Sequence, residues 1–315
     1  MECGPIVRRG RVGRAFAVAV VFAVGLLVWA GAWAQPRLRV VTTTSDLRSL
    51  VEAVGGEHVD AVHLAAPEAD VEHYQPRPRD LLRLRDAALV VRVGADFDLW
   101  FDALVKRSGR RELQRGGPGH VDASLGIALL EVRGTSAIGP GDGHAHGAGN
   151  PHYWLDPLNA EVITATLLEA LVRADPQHAG YYEARRIAFV DKLHVKLREW
   201  TAALAPLAGR PLVAHHNTWA YFARRFRLEF AGFIEPRPGV PPSPAHLGSL
   251  RTLVRERRVA LIVRQPFEAP RNAEFIAAGS AARIVVLAAS VGALPQASDY
   301  LALFDHNVRV LIGSL

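Results

Sequence analysis

Short apolar, β-branched runs recur along this chain with helix-like stretches between them, and this alternation limits its fold more than any other feature. The runs are Leu38 to Thr43, Val59 to Ala65, Ala88 to Val93, Pro211 to Ala214, Ala260 to Val263 and Arg283 to Ala288. Strands that alternate with helices pair in parallel, in sheets covered by helices on both faces. Local signals agree with this pattern. Ser45 is a candidate N-cap with Gly55 and Gly56 closing its helix, and Ser243 precedes a proline at the first helical position, Pro244. From Pro176 to about Leu204 the residues Tyr181, Ala184, Ile187, Ala188, Val190, Leu193, Leu197, Trp200 and Leu204 recur at a spacing near that of a helix. A helix of that length suits a link between two lobes. The expected fold class is therefore α/β: two lobes of parallel sheet covered by helices, joined by one long linking helix.

The N-terminus has a different character. Arg8, Arg9, Arg11 and Arg14 precede an apolar run from Ala15 to about Ala30, and Ala32-Trp33-Ala34 forms a small-x-small cleavage site before Gln35. The run is shorter than the roughly 20 residues needed to span a bilayer as a helix, so it reads as a cleaved signal peptide, not an anchor. The expected organisation is a signal peptide over 1–34, an N-terminal metal-binding lobe over 35–175, the linking helix over 176–204 and a C-terminal metal-binding lobe over 205–315. The single cysteine, Cys3, lies before the basic region. It is thus neither a lipid-attachment site nor part of the mature fold, and any metal site must use His, Asp or Glu. Removing the leader's four arginines and one glutamate takes 37 basic and 31 acidic residues to 33 and 30, a net charge of about +3. That balance excludes the basic footprint of a nucleic-acid-binding protein.

Most of the 13 histidines are unremarkable for a surface, a helix or a strand. His73 follows the strand that starts at Val59, while His215 and His216 both stand at the end of the strand that starts at Pro211. Open α/β sheets bind ligands beyond the carboxyl ends of their strands, so these positions point to a shared crevice. His152 sits in Asn150-Pro151-His152-Tyr153-Trp154-Leu155-Asp156-Pro157, where two prolines stiffen the backbone around one imidazole. Three histidines and one carboxylate complete a tetrahedral zinc site, and Glu72, beside His73, is the nearest carboxylate. Asp156 is placed either to orient an imidazole or to cap the following helix. The stretch from Gly134 to Pro151, rich in Gly and His, reads as a loop.

Glu72-His73-Tyr74 followed by Pro76, Pro78 and Asp80, then the segment Asn150 to Pro157, then His216 followed by Tyr221-Phe222, resemble the zinc and manganese solute-binding proteins of ABC importers. Leu89 to Gly94, Glu235 to Leu247 and Asp299 to Asn307 are similar too, so the resemblance spans the mature chain. It implies two lobes bridged by one long helix, with the metal at their interface and little hinge flexibility. Carried over by position, the ligands are His73, His152 and His216, with Glu72 matching the glutamate of the zinc-type branch. Many members place an aspartate ligand after the last strand of the second lobe. Here that stretch reads Val286 to Gly292 and holds no carboxylate. The loop with His144 and His146 is similar to the His-rich loop of some zinc-specific members.

The expected function is a periplasmic protein, a monomer, that captures Zn²⁺ and delivers it to the membrane permease of an ABC metal importer. Mn²⁺ is the lesser candidate, because imidazole-rich sites suit zinc. The alternatives are a manganese-binding member of the same family, a surface adhesin with a structural metal, and a secreted zinc-dependent hydrolase with Glu72 as general base.

Overall fold

Four short strands, each with valine at its centre or beside it, pair in the first sheet. They are β1 (Leu38–Thr42), β2 (Val59–His63), β3 (Leu89–Arg92) and β4 (His120–Asp122), in the order β2-β1-β3-β4. All of its ladders are parallel. The second sheet repeats the arrangement with β5 (Pro211–Ala214), β6 (Glu229–Phe233), β7 (Leu261–Arg264) and β8 (Arg283–Val286), in the order β6-β5-β7-β8. Its ladders are parallel as well. The structure is a computed structural model that describes residues 1–4, 37–131, 149–237 and 239–315. The chain divides into two units, Met1–Arg37 and Leu38–Leu315, and both sheets belong to the second. The signal peptide expected over 1–34 and the loop with His144 and His146 fall outside the described residues, apart from the first four. Among the described residues no helix is long and apolar enough to cross a membrane.

The helices are α1 (Ser45–Gly55), α2 (Pro78–Arg85), α3 (Trp100–Ser108), α4 (Asn159–Ala174), α5 (Ala179–Leu204), α6 (Ala220–Phe226), α7 (Pro244–Glu256), α8 (Pro270–Ala277) and α9 (Tyr300–Gly313). The α1 helix is capped by Thr44, whose hydroxyl accepts from the Leu47 amide, and not by Ser45, which is the first helical residue. Ser243 does cap α7, accepting from the His246 amide. The linking helix α5 has 26 residues and is about 39 Å long. Its buried face is Tyr182, Phe189, Leu193, Trp200 and Leu204. This stripe is rotated from the expected one: Ile187 is exposed, while Tyr182 and Phe189 enter the core. The reason is tertiary, since α1, α4 and α9 all pack along this helix and select the face.

One hydrophobic core runs through both sheets, from Val40 and Val91 in the first to Leu212 and Leu261 in the second, by way of Leu193 and Trp200 of α5. Polar contacts cross the same boundary. The Trp154 indole donates to the Ala289 carbonyl (2.9 Å), the Tyr300 hydroxyl to the Trp154 carbonyl (2.6 Å) and the Tyr221 hydroxyl to the Asn150 carbonyl (2.7 Å). Buried aromatic side chains with satisfied polar tips thus join the two halves.

Asp46 is part of this seam, its carboxylate accepting from the Val291 amide at 2.9 Å. Burial raises its pKa to about 7, against the opposing pull of the Val291 amide and the Ser290 hydroxyl. A carboxyl with pKa near 3.9 when unfolded and about 7 when folded binds more protons in the folded state between those values. Its contribution to stability is complete below the lower value and is lost as pH rises through the upper one. Urea unfolding of metal-free protein should therefore show stability falling from pH 5 to pH 8, with a slope from this group of up to about 1.4 kcal/mol per pH unit. Asp46→Asn should flatten that slope; an unchanged slope would remove Asp46 as its source.

Candidate metal centre

In both sheets the strand order reverses beside the first strand, between β1 and β3 and between β5 and β7. The loops beyond the carboxyl ends diverge there and leave a crevice. The residues lining one cleft of about 340 Å³ come from such loops: Asp70, Glu72 and His73 after β2, Phe97 after β3, His215 and His216 after β5, Glu235 after β6, Glu268 after β7, and Ser290 after β8. His152 joins them from the turn that precedes the short 3-10 segment Tyr153–Leu155. No lysine or arginine is among the described residues that line the cleft.

Glu72, His152 and His216 converge, each offering a ligand atom within 4.8 Å of the others. The His152 Nε2 lies 3.2 Å from a Glu72 oxygen, and the rings of His152 and His216 are 5.6 Å apart. His73 lines the same cleft but stands outside this convergent group, with its side chain about half exposed.

The three histidines share one feature: the Nδ1 of each faces an acceptor. His73 Nδ1 lies 2.8 Å from an Asp70 oxygen, His152 Nδ1 lies 3.0 Å from Asn150 Oδ1, and His216 Nδ1 lies 2.5 Å from a Glu235 oxygen. Asn150 Oδ1 also accepts from the His152 amide (3.1 Å), which fixes the orientation of the Asn150 amide. An acceptor is met by a protonated nitrogen, so each Nδ1 carries a hydrogen, and a ring that is neutral then holds its lone pair on Nε2, the atom that in His152 lies 3.2 Å from Glu72. That is the tautomer a metal needs, and an acceptor behind the imidazole raises its basicity. His215 lacks the arrangement. Its Nδ1 is buried with no hydrogen-bond partner and its pKa is lowered, chiefly by burial.

Charge follows the same logic. The hydrogen bond to Asp70 is the main reason the pKa of His73 is raised. For His216, burial pulls downward, but the Glu235 hydrogen bond and the charges of Glu72, Glu235 and Glu268 outweigh it and the net shift is upward. Glu268, with 7 % of its surface exposed, is pushed up to about 7 by burial. Protons held on the imidazoles by these carboxylates compete with a divalent cation, and a cation that binds must displace them.

The backing of His152 is apolar and rigid. Phe97 meets its ring edge-on at 5.5 Å and Trp154 lies at 5.4 Å. Phe97 is set by a tight turn in which Asp98 accepts from the Val93 amide (2.7 Å) and the Gly94 amide (3.1 Å), while fully buried Arg92 pairs with Asp98. Gly94 has a φ of +74°, and a Cβ there would meet Asp122 Oδ1 at 2.0 Å, so the turn requires glycine. Among the described residues, Asp156 has no hydrogen bond or ion pair with an imidazole. It accepts from the Leu158 amide (3.0 Å) and forms a two-point ion pair with Arg225 (2.6 and 2.9 Å).

Asp70, Asn150, Glu235 and Glu268 have roles that the sequence reading did not assign. Asp70 and Asn150 lie three and two residues before the histidines they face, a local signal that was available. Glu235 comes two residues after β6 ends at Phe233, so the rule that placed His216 would have flagged it had β6 been recognised. The absence of a carboxylate after β8 is matched by Ala289 and Ser290 facing the cleft there.

The chain is similar to known proteins over nearly its whole length. The model of the family described as zinc-uptake complex component A, periplasmic, matches residues 40–313. The high-affinity zinc uptake system protein ZnuA of Brucella abortus (strain 2308) is 26 % identical over 322 residues, covering 90 % of this chain and 92 % of that protein. The manganese ABC transporter substrate-binding lipoprotein PsaA of Streptococcus pneumoniae is 24 % identical, covering 71 % and 70 %. A crystal structure of ZnuA superposes with a TM-score of 0.75 at 23 % identity, covering 88 % of this chain and 99 % of that one, a likeness of fold. With the family model spanning both sheets, the linking helix and every cleft residue, this chain belongs to the periplasmic zinc-uptake component A family.

Proposed function

We propose that this chain captures one Zn²⁺ in the cleft between its two sheets and hands it, in the periplasm, to the membrane permease of an ABC importer. The observation that supports this most is the set of three histidines, each with Nδ1 tied to an acceptor, two of which converge with Glu72. Glu72, His152 and His216 are the proposed first ligands, and His73, on the same loop as Glu72, is the fourth. Three imidazoles and one carboxylate match the ligand preference and number of zinc. The zinc-uptake relatives support the same cargo, and the manganese relative keeps Mn²⁺ as the competitor to be tested.

The lobes proposed for the two halves of the cleft are 35–175 and 205–315, joined by 176–204. The first 34 residues are proposed as the export signal. A carrier needs no turnover, so the chain is proposed to act as a monomer without catalysis. Calorimetric titration of chelator-treated protein should give one zinc per chain, bound far more tightly than manganese, and no hydrolysis of ester or peptide substrates by the zinc-loaded form. Binding of manganese in preference, or turnover, would replace this reading by one of its alternatives.

A further inference from the structure

Glu235 divides its carboxylate between two partners of different kinds. One oxygen meets His216 Nδ1 at 2.5 Å, and the other accepts from the Gly239 amide at 2.6 Å. Its own backbone is anchored as well, since the Glu235 amide donates to the His215 carbonyl at 2.8 Å and the Ile234 amide to the Ala214 carbonyl at 2.9 Å. The β5 and β6 chain ends thus hold Glu235 and His216 in fixed register. The segment beyond Glu235 turns tightly. Arg237 and Val240 form an antiparallel bridge, the Val240 amide donates to the Arg237 carbonyl at 3.0 Å, and Gly239 has a φ of +73°. Gly239 lines the cleft, whereas Val240 is 45 % exposed at the surface. A single side chain therefore connects a proposed metal ligand to a surface turn.

We propose that Glu235 is the positioning residue that couples occupancy of His216 by the cargo to how firmly the Gly239 amide is held in the surface turn that Arg237 and Val240 bridge. This rests on the zinc-capture reading above. A cation on Nε2 withdraws electron density from the ring, makes Nδ1–H a stronger donor and fixes the carboxylate that meets it. With one oxygen fixed, the other presents a less mobile acceptor to the Gly239 amide. The coupling is reciprocal: if zinc strengthens the hold on the turn, releasing the carboxylate weakens zinc by the same factor. A turn held more firmly on loading gives the outer surface a mark of the loaded state beside the mouth of the cleft.

The test compares wild type, Glu235→Gln and Glu235→Ala in the full mature chain, using Zn²⁺ itself as the probe. Three quantities are measured: zinc affinity by chelator competition, hydrogen exchange of the Gly239 amide with and without zinc, and the His216 tautomer in metal-free protein by ¹⁵N NMR. Wild type should hold one zinc, and its Gly239 exchange should slow at least about 10-fold on loading. Glu235→Ala should still bind one zinc, about 10- to 100-fold more weakly, with the His216 tautomers mixed and no zinc-dependent protection at Gly239. Glu235→Gln, which keeps an acceptor without the charge, should fall between them and controls for misfolding. Equal affinity in wild type and Glu235→Ala, or Gly239 exchange in wild type that ignores zinc, overturns the coupling while leaving capture intact. A wild type that takes up no zinc overturns the functional reading itself, and the coupling with it.

Discussion

His152→Ala should weaken zinc binding by at least about 100-fold, the largest effect expected of any single change in the cleft. Structural zinc sites contribute roughly 10–16 kcal/mol, so four ligands carry roughly 3 kcal/mol each, about two orders of magnitude in affinity. His152 carries at least this share because nothing can move into its place. It is 6 % exposed, held from behind by Asn150 and flanked by Phe97 and Trp154. His216→Ala should follow closely. His73→Ala should cost less, about 10-fold, since His73 is the most exposed of the three and stands outside the convergent group. His215→Ala should change affinity less than about 3-fold, having no acceptor behind its ring. Chelator competition on the four purified variants gives the ranking, and a His215 effect larger than that of His216 would reverse the assignment of the second-sheet ligand.

Arg225→Leu should destabilise the protein by about 3–5 kcal/mol and lower its thermal midpoint by roughly 10 °C. The pair it breaks joins Asp156, at the end of the His152 segment, to α6 beyond β5, and so spans the two halves. Asp156 is wholly buried, and with Arg225 removed its charge keeps the Leu158 amide and a single distant contact at 3.7 Å to the half-exposed Arg224. An ion left buried without its two-point partner bears most of the desolvation cost. Asp156→Asn added to Arg225→Leu should restore part of the loss, because the uncompensated charge then disappears. Thermal melts of the single and double variants decide the matter: a single variant within about 1 kcal/mol of wild type would show that the pair is solvated and dispensable.

The central strands were readable because they are buried on both faces. β1, β3, β5 and β7 stand out as continuous apolar runs, which is how parallel strands covered on both sides appear in a sequence. The edge strands β4 and β6 were not. β4 is three residues set among glycines, and β6 is half-buried along its whole length, with Gly232 opposite a register shift between Leu212 and Val213. Neither carries enough apolar pattern to rise above its surroundings. In the cleft, His152 and His216 were legible from their local segments and from the family resemblance. The contact of Glu235 with His216, 19 residues apart, exists only because β5 and β6 pair in parallel, so no local pattern announces it. The face of α5 was misplaced for a similar reason, since three neighbouring helices and not the sequence period decide which residues it buries.

The polar side chains of the cleft, Glu72, His73, His152, His216, Glu235 and Glu268, stand on connecting loops and turns, whereas Val71, Phe97, Trp154 and Ala289 line the cleft and also belong to the core that holds the two halves together. Loops tolerate substitution far better than packed strands. The donor atoms that set cargo preference thus lie at positions apart from most of those that set foldability, with the apolar backing of the cleft common to both. A lineage with this architecture can drift between a nitrogen-rich and an oxygen-rich donor set, for instance through an acidic residue in place of Ser290, while its sheets remain under unchanged selection.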